Sequence, residues 1–259
     1  MKIYILADME GISGIWMQEQ CVRDSTFFSH ACQFLMDDIN VAVNAAFEAG
    51  ATEVVVCDTH YAGGQLQLDK MDARATYETP NTGLIMPSLD ESFAGVVLIG
   101  HHARAGTINA FLDHTVSSAS WFDYSINGLS VGEMGLEAAY AGHYNVPVIA
   151  VSGDAATAAE ARELFGKVEC AIVKWAIGRN RAKCLSLPNA HQQIHDAVYV
   201  AVKNASECKP FKPTLPAKIQ IVLYRSDMAD DFATHPGIER IDARTVSRTI
   251  TSLLDVVKF

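Results

Sequence analysis

With 259 residues, 49% of them hydrophobic and 19% charged, the chain has the material for a packed core and too little charge for a disordered segment. A net charge of −10 excludes nucleic acid as an expected partner, because phosphates would be repelled, and disfavours an anionic membrane surface, while it suits metal ions or a cationic ligand. The apolar start stops at Asp8 and Glu10, too short for a signal peptide, and no stretch approaches the ~20 apolar residues of a membrane span. Cys21, Cys32, Cys57, Cys170, Cys184 and Cys208 show no C-x-x-C spacing, so reduced thiols in a cytoplasmic protein are expected.

Ile3 to Ala7 reads as a buried strand running into the acidic pair. Leu35, Ile39, Val43 and Ala46 recur at helical spacing within 31–49, and Gly50 stands where a left-handed cap closes a helix. Glu53 to Cys57 is a second buried strand, which completes a βαβ unit. Downstream, strands are predicted at 96–99, 146–151 and 170–175, and helices at 130–143 (after an Asn127-Gly128 turn), 155–165 and 189–205. The fold expected is a three-layer α/β arrangement, a mainly parallel sheet with helices on both faces.

Three prolines within 209–216 mark a connector. Residues 1–208 are therefore expected to form the catalytic α/β domain. Residues 217–259, a strand followed by a strand and helix, form a small β-rich lobe or an extension of the same sheet.

The residues with chemistry stand just past strand ends, where open α/β sheets form their sites. Asp8 and Glu10 are two apart, so both side chains can leave on one side; they either hold a cation between them or form a solvated acidic turn. His60 is a ligand candidate or a hydrogen-bonded surface residue, and Asp58 either orients its ring or caps the next loop. His101 and His102 are adjacent and point opposite ways, so one of them serves the site. Arg104 pairs with an acid or pins a substrate carboxylate or carbonyl. Ser130-Val131-Gly132-Glu133 matches a capping box, which would make Glu133 structural; a metal ligand is the other reading. His114 is an acid/base candidate or an ordinary loop histidine. Taken together these residues allow a dinuclear metal site, since zinc accepts nitrogen and oxygen donors and a carboxylate can bridge two ions.

Asp8-Met9-Glu10-Gly11-Ile12-Ser13-Gly14 resembles the start of the DppA-type D-aminopeptidases, peptidase family M55. The resemblance continues in order at Cys57-Asp58-Thr59-His60, Gly100-His101-His102-Ala103-Arg104-Ala105, Asp113-His114-Thr115, Val131-Gly132-Glu133-Met134-Gly135, Val151-Ser152-Gly153-Asp154 and Val173-Lys174. It departs at Leu6, where the family usually has Ser, and over 16–30.

What the resemblance implies is two zinc ions per chain. Asp8 would bridge them, Glu10 and His60 would complete the first, and His102 and Glu133 the second. His114 would match the family's catalytic residue, as nucleophile or acid/base. The implied reaction is removal of the N-terminal residue, a D-amino acid, from a short peptide with a free N-terminus. The implied assembly is a ring-shaped homo-oligomer such as a decamer. The alternatives are an amidase or phosphoesterase on the same metal scaffold, or a non-catalytic dipeptide- or metal-binding protein.

Overall fold

A computed structural model describes residues 1–81 and 83–259. Its strands are β1 (Lys2–Ala7), β2 (Glu53–Asp58), β3 (Thr76–Glu78), β4 (Phe93–His101), β5 (Trp121–Ile126), β6 (Leu129–Ser130), β7 (Val148–Asp154), β8 (Glu169–Gly178), β9 (Arg181–Cys184), β10 (Ala217–Leu223), β11 (Glu239–Arg240) and β12 (Thr245–Ile250). Its helices are α1 (Phe28–Glu48), α2 (Glu133–His143), α3 (Ala155–Phe165), α4 (Leu187–Lys203) and α5 (Ser226–Phe232).

Seven strands form the larger sheet in the order β3-β2-β1-β4-β7-β8-β9, parallel except for β9. Alternation along the strands divides the core. Ile3, Ile5, Val54, Val56, Val97 and Ile99 face α1 and α4, whereas Tyr4, Leu6, Val55, Val96 and Leu98 face α2 and the end of α3. The expected α/β class with helices on both faces is what forms. No helix among the described residues is long and apolar enough to cross a membrane.

The segment after residue 216 does not extend the parallel sheet. Strand β10 pairs antiparallel with β12 on one side and with β5 on the other, in a second sheet ordered β11-β12-β10-β5-β6. Ile219, Ile221 and Leu223 of β10 share a buried cluster with Tyr124, Ile126 and the inner side of α2, so this sheet packs on the α2 side of the first. Strand β5 has no clear apolar alternation (Trp-Phe-Asp-Tyr-Ser-Ile), and sequence patterning passed over it.

Three local expectations are corrected. Asn127 and Gly128, with φ of 52° and 83°, make the hairpin turn between β5 and β6 and do not lead into a helix. Ser130 lies in β6 and donates to Asp123, while Gly132 is the N-cap of α2, so the capping box does not form. At 245–259, β12 is followed by a 3-10 turn at Leu253–Val257 in place of a helix.

The strand order reverses direction between β1 and β4: the chain moves outward through β2 and β3, then returns to the other side of β1. That switch point opens a crevice at the carboxyl ends of the strands. The crossing there is tight. Gly11 donates to the Gly100 carbonyl at 2.7 Å and Asp8 to Ile99 at 2.8 Å. Gly100 has φ +74°, and a Cβ on it would lie 2.2 Å from the Asp8 carbonyl oxygen. Gly100→Ala is expected to lose about 1–3 kcal/mol from the backbone conformation alone. The overlap adds to that loss, and a lowered urea midpoint would register both.

Candidate metal centre

The crevice gathers residues from four separate stretches. Asp8 and Glu10 follow β1, His60 follows β2, His102 follows β4, and Glu133 opens α2. His60 Nδ1 lies 3.1 Å from Asp8 Oδ1 and 3.2 Å from Glu10 Oε2. On the other side of the same aspartate, His102 Nε2 lies 3.3 Å from Asp8 Oδ2 and 3.4 Å from Glu133 Oε1. Asp8 therefore offers one oxygen to each half of the cluster.

These separations fit a metal's coordination shell. Four donors about 2.0–2.1 Å from a tetrahedral zinc lie about 3.3–3.4 Å from one another. Asp8, Glu10 and His60 form one group of potential ligands, and His102, Glu133 and His114 a second, each with its donor atoms within 4.8 Å. Asp8, Glu10, His60 and His102 are all buried. Asp8 Oδ2, Glu10 Oε2, His60 Nε2 and His102 Nε2 have no hydrogen-bond partner among the described residues. Buried polar atoms left so cost about 1–3 kcal/mol each. Three of the four face the cluster centres, which is what cations would require.

The charges answer one another. Burial alone would lower the His60 pKa, but Glu10 and Asp8 outweigh it and push it up to about 11. Burial likewise opposes the charged form of His102, which Glu133 and Asp8 hold well above the ordinary imidazole range. Burial would raise Asp8, yet His102 and His60 keep it well below the usual carboxylate range; Glu133, raised by burial, is brought down to about 2 by His102 and His114.

The orientation of each imidazole follows from its second nitrogen. His102 Nδ1 donates to the Ala103 carbonyl at 3.1 Å, so the Nε2 lone pair faces the cluster. His114 Nδ1 donates to Leu112 at 2.8 Å, and its Nε2 stands 3.6 Å from Glu133 Oε1, with the ring stacked on that of His102 at 4.0 Å. The loop holding His114 is strained and pinned. Leu112 and Val116 have φ of 52° and 59°, Asp113 accepts from Gly106 at 2.7 Å, and Thr115 from Ala105 at 3.2 Å.

The remaining candidates fall outside the cluster. His101 points the opposite way and meets Glu137 Oε2 at 2.7 Å in the core. Asp58 takes the loop-capping alternative, accepting from the Gln65 N–H at 2.8 Å; burial raises its pKa to about 6. Arg104 takes the pairing alternative, its guanidinium 4.0 Å from Asp123. Two neighbours of the centre escaped the sequence reading. Glu137 stands one turn along α2 from Glu133, a spacing of four that could have revealed it. Lys174 is fully buried in β8 and donates to the Glu10 carbonyl at 2.8 Å over the ring of Phe111; a lysine inside a buried strand was its signal.

Asp8, Glu10, His60, His114 and Glu133 line a cleft of about 710 Å³. Fold and site thus define an α/β protein with a candidate dinuclear metal centre at its topological switch point. The family model for D-aminopeptidase matches residues 1–259, and the chain belongs to that family. It is 32% identical to a D-aminopeptidase of Bacillus subtilis (strain 168), over 92% of this chain and 87% of the relative. It is also similar to the solved Zn-dependent D-aminopeptidase DppA from Bacillus subtilis, described as a self-compartmentalizing protease. There the TM-score is 0.95 at 30% identity, covering 99% of this chain and 94% of the other.

The raised pKa values of His60 and His102 give a signed expectation. Both imidazoles are held in the protonated form near pH 7 and, as zinc ligands, would have to lose a proton, so zinc binding would release protons and its affinity would rise with pH. Calorimetry in buffers of different ionisation enthalpy should show release approaching two protons per chain, one from each ring.

Proposed function

We propose that this chain is a zinc-dependent aminopeptidase that hydrolyses the first peptide bond of short peptides bearing an N-terminal D-residue. The observation that carries the reading is the convergence of five buried or half-buried donors, three of whose atoms face the cluster unpartnered. The D-aminopeptidase names of the relatives supply the stereochemical preference, and the zinc dependence of the solved relative supplies the metal. In this reading Asp8 would be shared by two ions, Glu10 and His60 would hold the first, and Glu133 and His102 would hold the second.

Zinc bound there would supply a Lewis acid for the scissile carbonyl and a water acidic enough to ionise near neutral pH. The chain's residues do the rest. Glu137, the carboxylate of the lining that this reading leaves off the ions, suits a free terminal amine and favours peptides unblocked at that end. His114, with Nδ1 fixed on Leu112, presents Nε2 to the cleft as the group that takes up a proton and delivers it to the departing amine. Lys174 steadies the Glu10 backbone by its hydrogen bond to the carbonyl.

The same reading includes a ring-shaped homo-oligomer, on the strength of the relative's description as self-compartmentalizing, and a cytoplasmic setting that suits six free thiols. A phosphoesterase is disfavoured because Arg104 is engaged with Asp123. A purely binding protein is disfavoured because His114 lies in the cleft wall.

Metal analysis of the purified protein should find two zinc ions per chain, and chelation should abolish release of free amino acid from D-peptides. His60→Ala and His102→Ala should each lower the zinc content. His114→Ala should keep both ions while turnover falls about 10²–10⁴-fold. Loss of an ion in that variant would make His114 a ligand instead. His101→Ala should retain zinc yet lose about 1–3 kcal/mol of stability by stranding buried Glu137.

A further inference from the structure

The cleft has an apolar half that the metal chemistry does not use. Ile85, Trp121, Leu136, Val257 and Phe259 line it, drawn from three regions distant in sequence and from α2. Leu136 is buried, while the other four are half-buried, packed onto the core beneath and bare toward the cleft. Trp121 and Phe259 meet edge to face at 6.3 Å, and Phe232 braces both, at 6.4 and 6.2 Å. Such contacts fix the rings in place.

The position of this wall relative to the candidate centre sets its use. Glu133, Leu136 and Glu137 are spaced by three and four on α2, so they share one face of the helix, and all three line the cleft. The apolar wall therefore begins about one helical turn, ~5.4 Å, from Glu133. A peptide whose first carbonyl lies at the metal cluster has its terminal amine and first side chain on a single adjoining carbon. With the amine beside Glu137, that side chain has the Leu136–Trp121–Phe259 wall within reach. A methyl group would leave most of the wall facing water, whereas a phenyl or branched aliphatic group would cover it.

We infer that this wall is the subsite for the first residue of the substrate, and that it selects bulky apolar D-residues over D-alanine. The inference rests on the aminopeptidase reading and deepens it. Burying a large apolar side chain in a preformed pocket corresponds to about 10–100-fold in selectivity.

The test compares D-Phe-Gly with D-Ala-Gly by release of glycine from the zinc-loaded protein. A parallel calorimetric titration uses free D-phenylalanine and D-alanine, which needs no turnover. The expected result is about 10–100-fold higher kcat/KM for D-Phe-Gly and a comparable preference in binding. Phe259→Ala and Trp121→Ala should each reduce that preference about tenfold. Phe259→Ala serves as the second variant should loss of Trp121 unsettle the cluster beneath it. Equal or reversed preference in both measurements, or a preference unchanged in both variants, would overturn the inference. If neither peptide is cleaved while D-phenylalanine still binds more tightly through Phe259, the subsite holds and the peptidase reading fails.

Discussion

The close passage of the chain after β1 against the chain after β4 is the constraint on which the rest depends. Asp8, Glu10 and Glu133 are carboxylates that would separate in water, and burial makes their crowding worse. Asp8 and Glu10 stay beside His102 because backbone hydrogen bonds from Asp8 and Gly11 lock the two strand ends at a distance only glycine permits, and α2 brings Glu133 to them. The histidines offset part of the charge, and Lys174 holds the Glu10 carbonyl by a hydrogen bond. Unpartnered atoms remain in the middle, and metal ions are what their number and spacing accommodate.

Much of this was legible in the chain itself. Continuous apolar runs ending at acidic or histidine residues announce parallel strands with functional ends, which is why β1, β2 and β4 and their trailing residues could be picked out. What periodicity could not do was choose between His101 and His102, because both adjacent rings are buried and each has a carboxylate partner. Only the direction of the chain beyond Gly100 separates them. The capping box at Ser130 failed for a related reason: its spacing was right, but β6 claimed the serine and left Gly132 to begin the helix.

The second sheet was the least readable part, and the cause is physical. The register of strand β5 shifts near its start, which puts Trp121 on the buried side with Tyr124 and Ile126 and leaves Phe122 exposed, so no regular alternation appears in the sequence. Its pairing with β10 spans a large separation in sequence and leaves no local trace. The same holds for the wall formed by Trp121, Val257 and Phe259, whose members are ordinary hydrophobic residues until the sheet brings them beside α2.

Apart from α2, which serves both ends of the cleft, the candidate metal donors and the residues of the apolar wall lie on different stretches of chain. Substitutions around 253–259 or at Trp121 can reshape the cavity without touching a donor atom, and those around Asp8 or His102 leave the wall intact. The layout thus separates the shape of the cavity from the candidate donor set, with the second sheet and the 253–259 segment governing the former.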